Sequence, residues 1–188
     1  PKGLVGSEMC IRDRISTGPI ANDSEEFINA EKEAREKLDK LINNKGSKSV
    51  DYFHKKLGKI MWNKCGMARN KRDLELAISE ISKLRKEFWK EVKVPGDQNE
   101  FNEELAKAGR VADFLELGEL FAKDALEREE SCGGHFREEY QTKEGEATRK
   151  KEFQFVSAWE YVGEPRDAIL HKEKLEYKNI EVKERSYK

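Results

Sequence analysis

The sequence has few of the residues that build covalent or metal-based frameworks. Its 188 residues include only three cysteines, four prolines and three histidines. Cys10, Cys65 and Cys132 are far apart, odd in number and without a CxxC pair. This pattern disfavours a disulfide framework and a zinc site, and it fits a reducing cytoplasm better than an oxidising compartment.

Long apolar runs and an excess of one charge sign are also missing. No run approaches the ~18 residues that a membrane-spanning helix needs. The 37 Lys and Arg residues balance 38 Asp and Glu residues, so the basic excess of a nucleic-acid binder is absent. Charged residues nevertheless make up 40% of the chain, against about 25% in an average soluble domain. That density predicts extensive solvated or interfacial surface.

Signatures of catalysis and cofactor binding are absent as well. The chain contains no GxGxxG, GxxxxGK[ST], HExxH or GxSxG motif and no EF-hand loop. It is therefore predicted to carry no nucleotide site of its own.

The stretch from Gly3 to Arg14 has no helical or strand period, and it resembles the translated adapter read-through found at the ends of environmental gene fragments. We expect residues 1–22 to be a non-native or disordered head, and a short native loop or strand is the alternative.

A first helical period follows the head. Asp23 and Glu26 have the spacing of a capping box, and acid-before-base pairs such as Glu31 with Arg35 favour a water-facing side. The residues predicted to form the buried face are Phe27, Ala30, Ala34, Leu38, Leu41 and Ile42. Two asparagines and Gly46 are expected to end this helix because such residues tolerate the left-handed conformation.

Three more helical periods predict a mainly α fold. Ser49 can cap a second helix that stops at Gly66, and Asn70 can cap a third that ends at Pro95-Gly96. A fourth runs from about Glu100 to Glu129. Short connections between these helices predict an antiparallel bundle of three to four helices over residues 23–130.

Two glycines interrupt the fourth helical period. Gly109 and Gly118 each cost about 1 kcal/mol relative to alanine inside a helix. Their presence predicts either a close approach of another helix or a bend.

Residues 131–188 have a different pattern, which predicts a loop and a small β-hairpin. The stretch from Phe153 to Val162 is rich in aromatic and β-branched residues. Gly163-Glu164-Pro165 is predicted to form the turn. The second strand is predicted from the apolar residues Leu175, Tyr177 and Val182, the first two of which lie on alternate positions. A lone hairpin is marginal in water, so this one needs cover from the helices or from another domain.

A dense polar cluster follows the paired glycines that end the fourth helix. We predict a docking element made by His135, Arg137, Glu138 and Tyr140, in which Arg137 pairs with a carboxylate on a neighbouring surface and Tyr140 packs beneath it. A solvated loop is the alternative. The spacing of Cys132 and His135 also suits a metal, but two ligands are too few, and a turn is the favoured interpretation.

These residues resemble the C-terminal part of the flavoprotein subunit of succinate dehydrogenase and fumarate reductase. The resemblance rests on Glu130–Tyr140 (ESCGGHFREEY), on the terminal Arg185–Tyr187 and on Met61–Arg69 (MWNKCGMAR). Cys132 and Gly134 depart from the family pattern, which often has Arg and Ala there. A role of that arginine therefore does not carry over.

The resemblance implies a bundle similar to spectrin repeats, followed by a smaller segment packed on an FAD-binding domain. The complete subunit would interconvert succinate and fumarate with covalently attached FAD. The partners implied are its own upstream FAD-binding domain, a membrane-anchored cytochrome b and an iron-sulfur subunit, with no nucleic acid. The implied location is cytoplasmic, peripheral on the inner face of the bacterial cell membrane.

The family's catalytic, substrate-binding and FAD-linking residues belong to segments that have no match in this chain. We therefore assign no catalytic, cofactor-binding or metal-binding residue, and we expect FAD only in the complete subunit. Two alternatives stay open. One is a free-standing, highly charged helical interaction module without redox activity, and the other is an autonomous flavoenzyme.

Overall fold

The computed structural model describes residues 12, 15–18, 23–97 and 101–180. The chain divides into two units, Pro1–Lys40 and Leu41–Lys188. Most of the predicted head lies outside the described residues, as do Val182 and the terminal Arg185–Tyr187. The predicted division at residue 131 stays a prediction.

Helices dominate the described chain, as predicted. The helices with described bounds are α1 (Glu25–Ile42), α2 (Val50–Lys64), α3 (Lys71–Glu91) and α4 (Glu103–Glu127). The strands are β1 (Lys48–Ser49), β2 (Val92–Lys93), β3 (Phe155–Glu160) and β4 (Ile169–Lys174). Single 3-10 turns lie at Lys151–Phe153 and Pro165–Asp167. None of the described helices is long and apolar enough to cross a bilayer.

Side-chain caps fix where the bundle helices begin. The Ser49 hydroxyl accepts a hydrogen bond from the Tyr52 N–H, 3.2 Å, and the Asn70 side chain accepts one from the Asp73 N–H, 2.9 Å. Both predicted caps are confirmed. The cap of α4 is Asn102, so this helix begins later than the predicted Glu100.

The helix α1 begins at Glu25, so the predicted start at Asp23 is displaced. Ser24 immediately precedes the helix, and its carbonyl accepts from the Ile28 N–H, 3.1 Å.

Helices α2, α3 and α4 form an up-down-up bundle. The strands β1 and β2 pair in parallel, which brings the start of α2 beside the end of α3 and makes these helices antiparallel. Lys107 in α4 forms an ion pair with Asp51 in the first turn of α2, so α2 and α4 begin at the same end. The core between them contains Phe53, Leu57, Ile60, Leu74, Ile81, Leu84, Phe88, Val111 and Leu115.

The first helix does not bury the apolar face that its sequence predicts. Phe27 and Leu38 are 47% and 43% exposed, whereas Leu41 in the last turn is fully buried. The predicted pair of Glu31 and Arg35 does form, at 2.8 Å. Helical periodicity identifies the apolar side of a helix, but a buried face also needs a packing partner. The bundle core is therefore built by three helices and the last turn of α1.

Close helix approach explains one of the two interior glycines of α4. A Cβ atom on Gly118 would lie 3.3 Å from Leu57 Cδ1 and 3.4 Å from Met61 Sδ, so α4 packs tightly on α2 at this point. A Cβ on Gly109 would meet nothing within 4 Å. Nothing in the described structure explains Gly109.

We expect Gly109→Ala to raise the free energy of unfolding by about 0.5–1 kcal/mol, because alanine has less backbone entropy to lose and no neighbour must move. Urea unfolding followed by far-UV circular dichroism measures the change. Gly118→Ala is the matched comparison in the same helix, and it should gain less because Leu57 must shift. A destabilised Gly109→Ala variant would contradict the prediction.

The hairpin exists, but the predicted position of its second strand is wrong. β4 occupies Ile169–Lys174 and pairs antiparallel with β3, with Trp159 opposite Leu170. Among the described residues, only one backbone bond, from the Leu175 N–H to the Gln154 carbonyl, extends the pairing further. The apolar pattern of the sequence did not locate this strand because β4 is mostly polar and exposed. Its pairing with β3 comes from backbone hydrogen bonds.

Polar contacts fasten the loop between β3 and β4 onto α3 and α4. Arg85 forms ion pairs with Glu164 in the loop and with the buried Glu119, whose Oε2 lies 3.4 Å from Arg85 Nε. Arg166 donates to the Ser82 hydroxyl, 3.0 Å. Lys123 donates to two carbonyls of the loop. Burial raises the pKa of Glu119. These contacts give the hairpin the cover that a lone hairpin lacks.

Candidate functional site

Two of the three stretches that carry the family resemblance meet at one end of the bundle. The Arg69 N–H donates to the Phe136 carbonyl, 3.0 Å, and the Glu138 N–H donates to the Arg69 carbonyl, 2.8 Å. The segment after α4 is thus paired with the loop between α2 and α3. We call this region, residues 65–70 and 130–140, the junction.

A tight turn lies near the start of the 130–140 segment of the junction. The Cys132 N–H donates to the His135 carbonyl, 2.8 Å, and the His135 N–H donates back to the Cys132 carbonyl, 3.0 Å. Gly133 has a φ of +59°, a left-handed conformation that suits glycine. The turn interpretation is confirmed. In the part of the chain that the structure describes, no group of three or more His, Cys, Asp or Glu residues could hold a metal ion.

Arg137 lies inside the junction and not on its surface. Its side chain is 1% exposed, and Nη1 donates to the carbonyls of Ala125 and Leu126, 2.9 and 3.1 Å. These carbonyls belong to the last turn of α4, where no intrahelical donor remains. Nε donates to Glu139, 3.1 Å, and Cζ lies 5.4 Å from the centre of the Tyr140 ring. The guanidinium thus binds its own chain and pairs with Glu139 of the same loop. The carboxylate predicted on a neighbouring surface stays a prediction.

His135 is held as a neutral imidazole between two arginines. Arg69 Nη1 lies 2.9 Å from Nδ1, and because a guanidinium can only donate, Nδ1 accepts. Nε2 lies 2.9 Å from the Arg128 carbonyl, so the ring proton sits on Nε2. Burial and the neighbouring positive charges lower the pKa of His135, while the bond to the Arg128 carbonyl opposes them. The neutral ring therefore links the Arg69 side chain to the Arg128 carbonyl and adds no charge.

Glu138 and Glu139 connect the junction to the start of α3. Glu138 is exposed and accepts from the Asn70 side chain, 3.0 Å. Glu139 accepts from the Lys71 N–H in the first turn of the helix. Burial opposes ionisation of Glu139, but this N–H and the Arg137 guanidinium outweigh it and lower the pKa. A carboxylate at a helix N-terminus also interacts favourably with the helix dipole.

Arg69 is a residue of the junction that the sequence pattern did not predict. Its Nε donates to the carbonyls of Cys65 and Gly66, 3.2 and 3.0 Å, and its Cζ lies 4.9 Å from the centre of the Phe121 ring. Burial lowers the pKa of Arg69. Its position in the MWNKCGMAR stretch was the available signal, but nothing in the sequence placed that stretch beside His135.

A cavity of about 320 Å³ opens beside the junction, and we call it the arginine pocket. Arg128 on its wall donates to Glu130, 2.8 Å, and to the carbonyls of Phe153 and Phe155, both 3.0 Å. The residues that line the pocket are Arg69, Phe121, Asp124, Ala125, Arg128, Cys132 and His135.

Cys65, the first residue of the junction, is buried as a small apolar residue. Burial raises the pKa of its thiol from 9.0 to about 11, against the opposing effect of Arg69 and Lys64. As pH rises above 9, the unfolded chain loses the thiol proton and the folded chain keeps it, so the stability falls until about pH 11. We expect this thiol to account for a loss of about 2–3 kcal/mol over that range.

The check is urea unfolding at pH 8, 9, 10 and 11 on the native chain and on Cys65→Ala. The variant should keep the part of the alkaline decline that other groups cause and lose the part that Cys65 causes. Parallel pH profiles for the two proteins would contradict the assignment.

The fold and the junction place the chain in the class of helical-bundle domains with an appended β-hairpin. Within that class its sequence identifies it further: the chain belongs to the family described as fumarate reductase flavoprotein C-term, whose model matches residues 54–187. The resemblance predicted from the junction motifs is confirmed.

Curated relatives are similar over about half of the chain. The fumarate reductase flavoprotein subunit of Haemophilus influenzae is 28% identical over 104 residues, which is 55% of this chain and 17% of the relative. A protein of the fumarate reductase (CoM/CoB) of Methanothermobacter marburgensis is 34% identical over 106 residues, 53% of this chain and 19% of the relative. The matched region thus spans less than a fifth of either relative.

A solved structure described as quinol-fumarate reductase with menaquinol molecules has the same fold. The TM-score is 0.74 at 21% identity, and the match covers 95% of this chain and 30% of the solved chain. The predicted fold class, a helical bundle followed by a small hairpin segment, is confirmed.

Proposed function

We propose that the chain is the C-terminal helical part of a succinate dehydrogenase or fumarate reductase flavoprotein subunit. In the complete subunit it supports and docks the FAD-binding domain that precedes it. The observation that carries the proposal is the family match over residues 54–187, and the matched regions span 17% and 19% of the two curated relatives.

The complete subunit would be an oxidoreductase acting on a CH–CH group. In that subunit FAD would supply the hydride acceptor for succinate oxidation, or the hydride donor for fumarate reduction. Electrons would pass from the flavin through an iron-sulfur subunit to quinone at a membrane-anchored cytochrome b, or in the reverse direction. These partners would hold the flavoprotein on the cytoplasmic face of the membrane. We assign none of the chemical steps to residues of this chain.

Within the chain, the predicted docking residues have separate roles. Glu138 is exposed, and His135 and Tyr140 are half-buried, so these three can contact a neighbouring domain. Arg137 supports them from beneath by tying their loop to α4. Its role is therefore positioning.

Exposed apolar side chains near the junction support a docking role. Met67, inside the junction, is 93% exposed, and Trp62, three residues before Cys65, is 83% exposed. Large exposed apolar groups at one region of a domain commonly mark an interface.

Extending the reading frame upstream tests the proposal directly. We expect a strand, a GxGxxG motif and a helix, followed by segments rich in histidine and arginine that bind substrate. An in-frame stop codon followed by a genuine start codon near Ile15 would overturn it.

Two measurements on the purified chain separate the alternatives. The proposed fragment should bind a hydrophobic dye, because its docking surface is uncovered, and it should show no flavin absorbance. A free-standing interaction module would melt cooperatively without binding dye. An autonomous flavoenzyme would show the visible absorbance of flavin.

A further inference from the structure

We propose that the arginine pocket receives a carboxylate side chain from the FAD-binding part of the complete subunit. This inference rests on the proposed function and adds the chemistry of the contact. Four observations support it. Arg69 has no ion-pair partner among the described residues, and it faces an open cavity. Apolar side chains nearby are exposed, and the chain matches only part of the length of its relatives.

Arg69 is a partly buried cation without a carboxylate partner among the described residues. Its Nε and Nη1 are used by two carbonyls and by His135, and Nη2 makes no hydrogen bond to another described residue. None of the ion pairs between described residues includes Arg69, whereas Arg128 and Arg137 each have a glutamate. Removing a guanidinium from water is costly unless an anion compensates it.

No carboxylate of the pocket wall forms an ion pair with Arg69 among the described residues. Asp124 is the one carboxylate of the described residues that lines the pocket, and it accepts the indole N–H of Trp159, 2.8 Å. His135 is neutral, and Arg128 is paired with Glu130. The unpaired Arg69 therefore faces an open cavity of about 320 Å³, which is large enough for a carboxylate side chain. A guanidinium binds carboxylates with good geometry through its planar donors.

The surroundings of the pocket fit a protein side chain as the occupant. Phe121 on the pocket wall is 45% exposed, and Met67, two residues before Arg69, is 93% exposed. A polar contact surrounded by apolar side chains is typical of protein interfaces. Because 95% of the chain matches only 30% of the solved chain that has the same fold, the remainder of the flavoprotein is the partner most directly available.

The first test places a carboxylate in the pocket of the chain itself. Cys132 lines the pocket, so Cys132→Asp adds the charge and Cys132→Asn is the neutral variant of the same shape. We expect the aspartate variant to melt about 2–4 °C above the asparagine variant at low salt. The difference should shrink in 1 M NaCl because salt screens the pair. Equal melting temperatures, or a lower one for Cys132→Asp, would overturn the proposal.

The second test compares the same two variants in the complete subunit. A carboxylate already in the pocket repels the incoming one, so Cys132→Asp should loosen the docking of the two parts more than Cys132→Asn does. Limited proteolysis between the parts and dye binding measure the loosening. Equal docking of the two variants would overturn the inference and leave the proposed function standing. An upstream stop codon would instead remove the proposed function and with it the assigned occupant.

Benzoate distinguishes a side-chain occupant from a small free carboxylate. In the 188-residue chain the pocket is open, so benzoate should raise the melting temperature more than the neutral benzamide does. In the full-length flavoprotein the partner side chain fills the pocket, and benzoate should have no such effect. A benzoate effect of equal size in both proteins would show a small-molecule site and overturn the proposed occupant. No effect in the chain alone would overturn the carboxylate preference.

Discussion

The Gly46→Ala variant is expected to lose about 2–4 kcal/mol of unfolding free energy. A Cβ atom on Gly46 would overlap the backbone carbonyl carbon and oxygen of Glu91 at the end of α3. Neither backbone can move away easily, because the Asn44 side chain donates to the Trp89 carbonyl, 3.1 Å, and the strands β1 and β2 pair just beyond. The two segments must therefore separate to admit one methyl group.

The measurement is urea unfolding, with Gly58→Ala as the matched control. Gly58 lies inside α2, and a Cβ there would meet nothing within 4 Å. The control should therefore gain about 0.5–1 kcal/mol, as alanine usually does in an open helix position. If Gly46→Ala stayed within about 0.5 kcal/mol of the native chain, which is the scatter of a surface substitution, the close approach would be wrong.

The second large effect is expected for Arg137→Ala, which should lower the free energy of unfolding by about 3 kcal/mol. The change removes the donors that satisfy the last carbonyls of α4 and leaves Glu139 without its guanidinium. Arg137→Lys keeps the charge but loses the planar fork, so its stability should lie between those of the native chain and the alanine variant. Glu138→Ala, one residue away and exposed, should change the stability by less than about 1 kcal/mol.

In the complete subunit, Arg137→Ala should weaken the docking of the FAD-binding part and lower the thermal stability while leaving measurable turnover. This follows from the buried position of Arg137, which touches the junction loop and α4. Unchanged thermal stability together with abolished turnover would contradict a positioning role and would require Arg137 to act on the chemistry.

Local sequence patterns predicted the helices well and the edges of the fold less well. Ser49 and Asn70 cap their helices as expected, because capping depends on groups three residues away. On α1 the apolar period predicted a face of which Leu41 is buried, whereas Phe27 and Leu38 are about half exposed. The second strand was placed too late because the strand Ile169–Lys174 has little apolar alternation.

Gly46 shows a different limit of sequence reasoning. A glycine at the end of a helix suggested left-handed backbone, but Gly46 is not among the residues with positive φ. Its requirement is the close passage of a distant chain segment at Glu91. Local conformational preference and tertiary close approach both select glycine, and the sequence does not distinguish them.

The motif from Glu130 to Tyr140 identified the family, but the contacts that its residues make were not readable from the chain. An arginine in a polar run suggests a surface contact. In the structure Arg137 is buried and paired with Glu139. The arginine without a carboxylate partner among the described residues is Arg69, which lies far earlier in the sequence. Which of two arginines has a carboxylate within reach depends on the folded path of the backbone.

By itself the sequence determined the helical class, two of the helix starts, the hairpin, the absence of a nucleotide fingerprint and the family. These properties follow from contacts between residues close in the sequence or from continuous sequence motifs. Only the tertiary structure decided which residues of α2, α3 and α4 form the core, that Gly46 and Gly118 admit neighbouring segments, and that Arg69, His135 and Arg128 meet at one pocket. Those outcomes depend on burial and on pairing between segments far apart in the chain, which set the cost of a charge or a methyl group at each position.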